Sequence, residues 1–225
     1  MQDNRPLLIC DFDGTLCVTH EAICTVMEMS LSELKVASPG RPFLQGLIGQ
    51  GIGLAETFQA CIPEALPDDI AQAVLLYRKI YNGGEGLKHT RLFDGIEETL
   101  PLLAEANARL VLTSNKGQEA VERALSHFAL TDHFHLIVGE QKDLPKKPAP
   151  DLYTHLISLH FKPEEYSGVY VIGDTLADLE FARNIGAQSI WASYGYGDRE
   201  KCSAHAPDHT LDAFGELPQV LGLRN

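Results

Sequence analysis

The chain has 225 residues, of which 44% are hydrophobic and 22% are charged, and its formal net charge at pH 7 is −13. This length is sufficient for one large domain or for a core that carries an insert. The negative charge disfavours a nucleic acid polymer or an anionic membrane as a partner, and no apolar run reaches the roughly 18 residues of a membrane-spanning helix.

The cysteine pattern and the N-terminus indicate a cytoplasmic protein. The N-terminus shows no basic stretch followed by an apolar run and a small-residue cleavage site, which is the pattern of a signal peptide. An odd number of cysteines without a C-x-x-C pair favours free thiols in a reducing compartment over a disulfide framework. The five cysteines are Cys10, Cys17, Cys24, Cys61 and Cys202.

The first predicted strand, Leu7–Cys10, leads directly into two aspartates, Asp11 and Asp13. Side chains alternate along a strand, so both carboxylates can face one side while Phe12 packs on the other. Buried charges are costly unless they are paired or hydrogen-bonded. Two carboxylates at this position therefore indicate a functional site.

Residues 18–90 contain no convincing strand and predict an inserted, all-helical domain. Glu21–Val36 is helix-like, and an amphipathic pattern follows Pro67 and ends at Asn82-Gly83-Gly84. The glycine-rich stretch 46–58 is interpreted, from its residues, as an ordinary turn between helices.

The rest of the chain, residues 91–225, alternates strands with helices and joins residues 1–17 in a core. This alternation predicts an α/β fold with a central parallel sheet flanked by helices. The further predicted strands are Leu110–Thr113, Leu136–Val138, Val169–Ile172 and Ser189–Ala192.

Polar side chains follow the ends of these strands, where ligands bind in open α/β sheets. Thr113, Ser114 and Asn115 close the second strand and lead into a helix, an arrangement suited to holding an anion. Lys147 lies in the sequence KKPAPDLY, in a loop before the next helix. We predict that these four residues bind phosphate.

The fourth predicted core strand ends in VIGDTLAD, which places Asp174 at its tip and Asp178 one helical turn later. Together with Asp11 and Asp13 this would bring four carboxylates to one region. Like charges about 4 Å apart repel by roughly 4 kcal/mol at an effective dielectric of 20, so the cluster requires cations. Oxygen-only ligands favour Mg²⁺, and a metal beside Lys147 would suit a bound phosphate dianion.

The motifs DFDGTL, a hydroxyl-terminated second strand, KPAPD and GDTLAD occur in this order and resemble the four motifs of the haloacid dehalogenase-like phosphatase superfamily. The helical insert resembles the C1 cap of that superfamily, and this resemblance implies a second interpretation of residues 46–58, as a contributor to substrate choice. The phrases TRLFDGIEETLPLL, LTSNK and WASYGYGDRE are similar to its phosphoglycolate phosphatase-like branch. The resemblance implies a Rossmann-like core with a C1 cap.

The resemblance also implies a role for each acidic residue. Asp11 matches the nucleophile and a metal ligand, and Asp13 matches the general acid/base that also offers a backbone carbonyl to the metal. Asp174 matches a further metal position, and Asp178 matches either another ligand or a supporting group. Lys147 matches the lysine that pairs with the nucleophile and the phosphate.

Two positions near these motifs leave alternatives open. Thr113 matches the phosphate-binding hydroxyl, although Ser114 is an alternative because the TSNK run allows either alignment. Val18 stands where relatives often carry a further aspartate after DGTL, which affects substrate details more than the chemistry.

The resemblance implies a Mg²⁺-dependent phosphatase that acts on a small phosphorylated metabolite through an aspartyl-phosphate, with 2-phosphoglycolate as the first expectation. The alternatives on the same fold are a β-phosphoglucomutase-like mutase and a pyrophosphatase or nucleotidase. Mutase relatives carry a histidine about twelve residues after the nucleophile, where this chain has Ile23. A catalytically silent binding protein is the remaining alternative, and either a monomer or a homodimer fits the sequence.

Overall fold

The fold is described from a computed structural model that covers residues 5–223. Its strands are β1 Leu7–Cys10, β2 Cys17–Val18, β3 Arg91–Leu92, β4 Arg109–Gly117, β5 Leu136–Glu140, β6 Val169–Gly173, β7 Gln188–Ala192 and β8 His209–Leu211. Its α-helices are α1 His20–Glu33, α2 Arg41–Ile48, α3 Leu54–Cys61, α4 Pro67–Ile80, α5 Gly86–Lys88, α6 Ile96–Glu105, α7 Gln118–His127, α8 Ser158–His160, α9 Leu176–Ile185, α10 Arg199–Ala204 and α11 Leu217–Val220. The segment Tyr81–Glu85, kinked at Gly84, leads into α5, and a π-helical turn, Tyr153–Ile157, leads into α8.

Six strands form one parallel sheet in the order β5-β4-β1-β6-β7-β8, which confirms the predicted α/β class. The strand β1 lies inside this sheet between β4 and β6, and none of its four residues is exposed. A parallel strand covered on both faces is expected to be apolar along its whole length, as β1 is.

The alternation of side chains along β1 divides the core between the two faces of the sheet. Leu8 and Cys10 pack with α6 and α7 on one face, whereas Leu7 and Ile9 pack with α9 and the π-helical turn before α8 on the other. The sheet is therefore held in place from both sides, and the residues that follow β1 have little freedom to move.

The helices α1 to α5, which we call the helical insert, have a separate apolar cluster that includes Met27, Leu44, Phe58 and Tyr77. The insert is joined to the core through β2 and β3, which pair antiparallel. The predicted absence of strands from residues 18–90 is therefore wrong at Val18, because two residues suffice to pair the two connections. The division into residues 1–17 with 91–225 and residues 18–90 stays a prediction.

Several element boundaries differ from those predicted. The helix α1 ends at Glu33 and not at Val36, and Lys35 after it has a positive φ of 59°. The predicted stop at Asn82-Gly83-Gly84, by contrast, agrees with the kink at Gly84, whose φ of 120° is not helical, between α4 and α5. The sequence analysis missed β8, a strand of three residues that contains two polar side chains.

The strand β4 extends to Gly117, four residues beyond its predicted end, and its pairing with β5 shifts register between Thr113 and Gly117. Such irregularities occur often beside active sites, where they redirect side chains. Ser114, Asn115 and Lys116 lie on this irregular stretch.

All five cysteines are free. Within residues 5–223, no helix has the length and apolar character that crossing a membrane requires.

We predict opposite stability effects for alanine at two glycines. Gly186 ends α9 with φ 70°, so alanine there should lower the free energy of unfolding by about 1–2 kcal/mol. Gly46 lies inside α2, and a Cβ there would meet nothing within 4 Å, so alanine should raise this free energy by about 0.5–1 kcal/mol. Urea unfolding of Gly186→Ala and Gly46→Ala measures both effects, and equal signs would contradict the prediction.

Candidate active site

A cavity of about 510 Å³ lies between the carboxyl ends of β1, β4 and β6 and the helical insert. The residues that line it from the core include Asp11, Asp13, Ser114, Asn115, Lys116, Lys147 and Asp178. Residues from α1, α4 and the connection between α2 and α3 line it from the insert. Most of the predicted site residues therefore line one cavity.

The centre of the site is the ammonium group of Lys147, which two carboxylates contact. Its Nζ donates hydrogen bonds to Asp11 Oδ1 at 2.7 Å and to Asp178 Oδ1 at 2.6 Å. A third hydrogen bond, of 3.1 Å, goes to the backbone carbonyl of Thr113. All three protons of the ammonium thus have acceptors, as a buried charge requires.

Burial and neighbouring charges both shift the pKa values of the groups around Lys147. Burial opposes the charge on Lys147, but Asp11 and Asp178 outweigh it and raise the pKa of the lysine. Burial raises the pKa of Asp11 to about 7, an effect that Lys147 reduces and Asp178 strengthens. The pKa of Asp174 is raised well above its usual value, mainly by burial and then by the charge of Asp11. The single positive charge of Lys147 does not balance the negative charges that the acidic cluster can carry.

Asp174 is held by donors from two loops. Its Oδ1 accepts a hydrogen bond from Thr15 Oγ1 at 3.2 Å, and its Oδ2 accepts one from the backbone N–H of Tyr196 at 2.7 Å. Gly14 passes so close that a Cβ there would lie 2.2 Å from Asp174 Oδ2, and its φ is 80°. Glycine is required at this position because a side chain would collide with the carboxylate.

Asp178 has both a capping contact and a site contact. At the start of α9 its Oδ2 accepts hydrogen bonds from Thr175 N at 3.1 Å and from Thr175 Oγ1 at 2.7 Å. These bonds fix the carboxylate so that Oδ1 meets Lys147. Helix capping and a role in the site therefore coexist at this residue.

The donor set fits a hard divalent cation. Asp11, Asp174 and Asp178 each offer a carboxylate oxygen, these oxygens lie within 4.8 Å of one another, and all three residues are buried. When all three are ionised, Lys147 balances one charge and two remain. An all-oxygen site with two unbalanced negative charges suits Mg²⁺.

Asp13, which we predicted to offer its backbone carbonyl to the metal, does not add its carboxylate to this group of three. It accepts hydrogen bonds from Lys116 Nζ at 3.1 and 3.3 Å. Phe12 between the two aspartates is fully buried, whereas Asp11 and Asp13 both line the cavity, as the alternation along a strand predicts.

Lys116 is the main site residue that the sequence analysis missed. Its side chain is only 9% exposed, and its Nζ lies 4.3 Å from the centre of the Tyr81 ring, a cation–π contact with the helical insert. Burial opposes its charge, but Asp13 outweighs it, so the pKa of Lys116 lies well above its usual value. The sequence does contain a signal for Lys116 as a site residue. It lies two residues after Ser114, and alternate residues of a strand share a face.

The predicted phosphate-binding residues of β4 occupy different environments. Ser114 and Asn115 line the cavity, whereas Thr113 does not. The Oγ1 atom of Thr113 is buried and has no hydrogen-bond partner within the described chain. The side chain of Asn115 accepts a hydrogen bond from Lys147 N at 3.0 Å and donates to the carbonyls of Lys147 and Gly51, at 3.1 and 3.2 Å. Asn115 therefore joins the lysine loop to the insert.

Tyr196 links the metal-binding group to the connection with the insert. Besides the bond from its N–H to Asp174, its hydroxyl oxygen accepts hydrogen bonds from the backbone N–H groups of Thr19 at 2.5 Å and His20 at 3.3 Å. Its ring stacks on His20 with centroids 3.5 Å apart. One residue thus contacts both the acidic cluster, through its backbone N–H, and the start of α1, through its side chain.

The glycine-rich stretch 46–58 forms the connection between α2 and α3 and also reaches the site. Ile48, Gly51, Ile52 and Leu54 line the cavity. Both interpretations of this stretch, a turn between helices and a contributor to the substrate pocket, are compatible with its position.

Comparison with known proteins identifies relatives along nearly the whole chain. The profile of the family described as haloacid dehalogenase-like hydrolase matches residues 8–192. A 5′-nucleotidase from Pseudomonas aeruginosa is 31% identical over 220 residues, with 96% of this chain and 95% of the relative covered. A phosphoglycolate phosphatase from Vibrio vulnificus is 30% identical over 228 residues, with 98% and 97% covered.

Solved structures show the same architecture. A haloacid dehalogenase-like family hydrolase from Streptococcus pneumoniae superimposes with a TM-score of 0.80 at 25% identity, and each chain is covered completely.

The raised pKa of Asp11 predicts a pH-dependent stability in the metal-free protein. Folding moves this pKa from 3.8 to about 7, so between these values the folded state holds a proton that the unfolded chain releases. The contribution of Asp11 to stability therefore falls as the pH rises from about 4 to about 7. Asp11→Asn removes this titration and should lose less stability over the same range.

Urea unfolding in the presence of EDTA at several pH values measures this difference. Asp143→Asn, at an exposed carboxylate outside the cavity, is the matched control and should follow the wild type. Identical pH dependence of wild type and Asp11→Asn would contradict the prediction.

Proposed function

The chain belongs to the haloacid dehalogenase-like hydrolases, and we propose that it is a Mg²⁺-dependent phosphatase that cleaves a small phosphorylated metabolite through an aspartyl-phosphate on Asp11. The observation that carries the proposal is the placement of Asp11 and Asp13 side by side in one cavity, with the three-carboxylate group and Lys147 beside them. The names of the two curated relatives, 5′-nucleotidase and phosphoglycolate phosphatase, both describe the hydrolysis of phosphate monoesters.

Asp11, Asp174 and Asp178 would hold the ion, with the backbone carbonyl of Asp13 as a further oxygen. Bound Mg²⁺ would offset the negative charge of the phosphoryl group and of the attacking carboxylate. The unbalanced charge of the three carboxylates supports this assignment.

In the first step, a carboxylate oxygen of Asp11 attacks phosphorus, and the bond from phosphorus to the substrate oxygen breaks. Lys147 holds Asp11 Oδ1 at 2.7 Å, so the nucleophile is oriented before the substrate arrives. Asp13, in its protonated form, gives its proton to the departing oxygen, and an alcohol leaves.

In the second step, water attacks phosphorus in the aspartyl-phosphate. Asp13, now a carboxylate, takes a proton from this water. The bond between phosphorus and the Asp11 oxygen breaks, which regenerates the Asp11 carboxylate and yields inorganic phosphate. Lys116 Nζ lies 3.1 Å from Asp13 Oδ1 and holds the Asp13 side chain at the cavity wall. The insert above the cavity limits the access of bulk water to the intermediate.

The mutase alternative lacks support in the cavity. Ile23, at the position where mutase relatives carry a histidine, lines the cavity wall with an apolar side chain. A catalytically silent protein would have no use for three buried carboxylates gathered around one lysine. The five free cysteines support the cytoplasm as the location.

We predict that Asp11→Asn abolishes the Mg²⁺-dependent hydrolysis of p-nitrophenyl phosphate, because an amide does not replace the carboxylate as nucleophile. Asp13→Asn should lower kcat by about 10²–10⁴-fold, since it removes general acid/base catalysis. EDTA should abolish the wild-type activity, and added Mg²⁺ should restore it. Circular dichroism verifies the fold of each variant, and full activity of Asp11→Asn would refute the mechanism.

The cavity lining predicts that Ser114, not Thr113, supplies the phosphate-binding hydroxyl. Ser114→Ala should raise KM for p-nitrophenyl phosphate and the inhibition constant of inorganic phosphate, because one hydrogen bond to the phosphoryl group is lost. Thr113→Val, which keeps the shape of a buried side chain, is the matched control and should leave both constants near their wild-type values. The reverse pattern would assign the role to Thr113.

A further inference from the structure

The side of the cavity that the helical insert forms, which we call the distal chamber, is lined mainly by apolar side chains. These side chains are Ile23, Met27, Ile48, Ile52, Tyr77 and Tyr81. The whole cavity, at about 510 Å³, falls within the roughly 300–1,000 Å³ of pockets that enclose drug-sized ligands. A two-carbon leaving group would leave much of this apolar surface against water.

Every cation that lines the cavity within the described chain already faces a carboxylate. Lys147 contacts Asp11 and Asp178, and Lys116 contacts Asp13. These two lysines lie at the acidic end, where the phosphoryl group would bind.

The remaining cation that lines the cavity is Arg78 on α4, and it forms an ion pair with Glu140 at the end of β5. Glu140 also forms an ion pair with Lys146, with 3.0 Å between Glu140 Oε1 and Lys146 Nζ, and this second pair holds its carboxylate in place. A second anionic group on the substrate would therefore meet Glu140 beside Arg78. The distal chamber disfavours a leaving group that carries its own carboxylate or phosphate.

The distal chamber nevertheless offers specific polar contacts. The Arg78–Glu140 pair presents donors and acceptors together, and Asn82, which also lines the cavity, has a buried Oδ1 without a hydrogen-bond partner among residues 5–223. An acceptor buried in this way is satisfied when a ligand donates to it. A flat ring with apolar faces and a polar edge matches this combination.

We propose that the leaving group is a nucleoside and that the substrates are nucleoside 5′-monophosphates, with Glu140 as a specificity-determining residue that disfavours doubly anionic substrates such as 2-phosphoglycolate. This inference rests on the phosphatase activity proposed above. The single phosphate is placed at the acidic end, the base packs against the insert, and the edge of the base meets Asn82 and the ion pair. A polyhydroxylated sugar matches the apolar wall less well, because its hydroxyls would lose water without partners.

The first test compares kcat/KM of the full-length protein with Mg²⁺ for purine and pyrimidine nucleoside 5′-monophosphates, a sugar phosphate and 2-phosphoglycolate. At least one nucleotide should exceed both other substrates by tenfold or more. Equal or higher kcat/KM for 2-phosphoglycolate or the sugar phosphate would overturn the proposal.

Binding to Asp11→Asn separates this inference from the proposed chemistry. Isothermal titration with Mg²⁺ present should give a Kd for a nucleoside 5′-monophosphate at least tenfold below that for 2-phosphoglycolate. If the wild type hydrolyses no phosphate ester but this preference holds, the proposed function fails and the binding inference stands. If 2-phosphoglycolate binds as tightly as the nucleotides, the inference fails whatever the activity.

Glu140→Gln tests the role of the ion pair. Freed from its partner, Arg78 could meet a second anionic group, so kcat/KM for 2-phosphoglycolate relative to a nucleotide should rise at least tenfold. Glu56→Gln is the matched control, because Glu56 also pairs with Lys146 but does not line the cavity, and this ratio should stay within twofold. An unchanged ratio in Glu140→Gln would remove Glu140 from the specificity assignment.

Discussion

The contact of Lys147 with Asp11 and Asp178 is the interaction on which the site depends. A buried ammonium group with three acceptors holds together the ends of β1, β4 and α9, which are far apart in the chain. Breaking such a group by removing one partner leaves a buried charge without compensation, which typically destabilises a protein by about 3–5 kcal/mol. The same contact orients Asp11 and leaves the acidic cluster short of positive charge. One arrangement therefore builds the site and also leaves the negative charge that the proposed divalent cation would balance.

The helical insert covers part of this edge of the sheet, so the cluster lies in a cavity between the insert and the core. It is connected to the core through the short pair β2 and β3, and Tyr196 contacts both that connection and Asp174. Lys116 adds a second link, because it pairs with Asp13 while lying on the ring of Tyr81. Two residues, Tyr196 and Lys116, therefore link the insert to the acidic residues. The side chains of the insert form the distal chamber, so the proposed substrate preference would depend on the insert.

Strong local patterns in the sequence predicted much of the fold. The apolar run of β1 and the strand–helix alternation identified the parallel sheet, because a strand covered on both faces must be apolar throughout. The shortest strands were not predicted, because their local sequence patterns are weak. The strand β8 has three residues, and β2 and β3 have two each. Such strands exist because a neighbouring strand pairs with them, and that neighbour is distant in sequence. The extension of β4 through Lys116 was missed for the same reason.

The sequence by itself determined the fold class, the chemical nature of the acidic cluster and its position at the ends of the strands, because these follow from residue types and periodicity. The tertiary structure alone decided which groups meet. It paired Lys116 with Asp13, placed Ser114 rather than Thr113 on the cavity wall, and brought Arg78 to Glu140 across the cavity. Contacts of this kind depend on how the insert packs against the core. Packing is set by surfaces that form only after folding, so no local spacing in the chain encodes them.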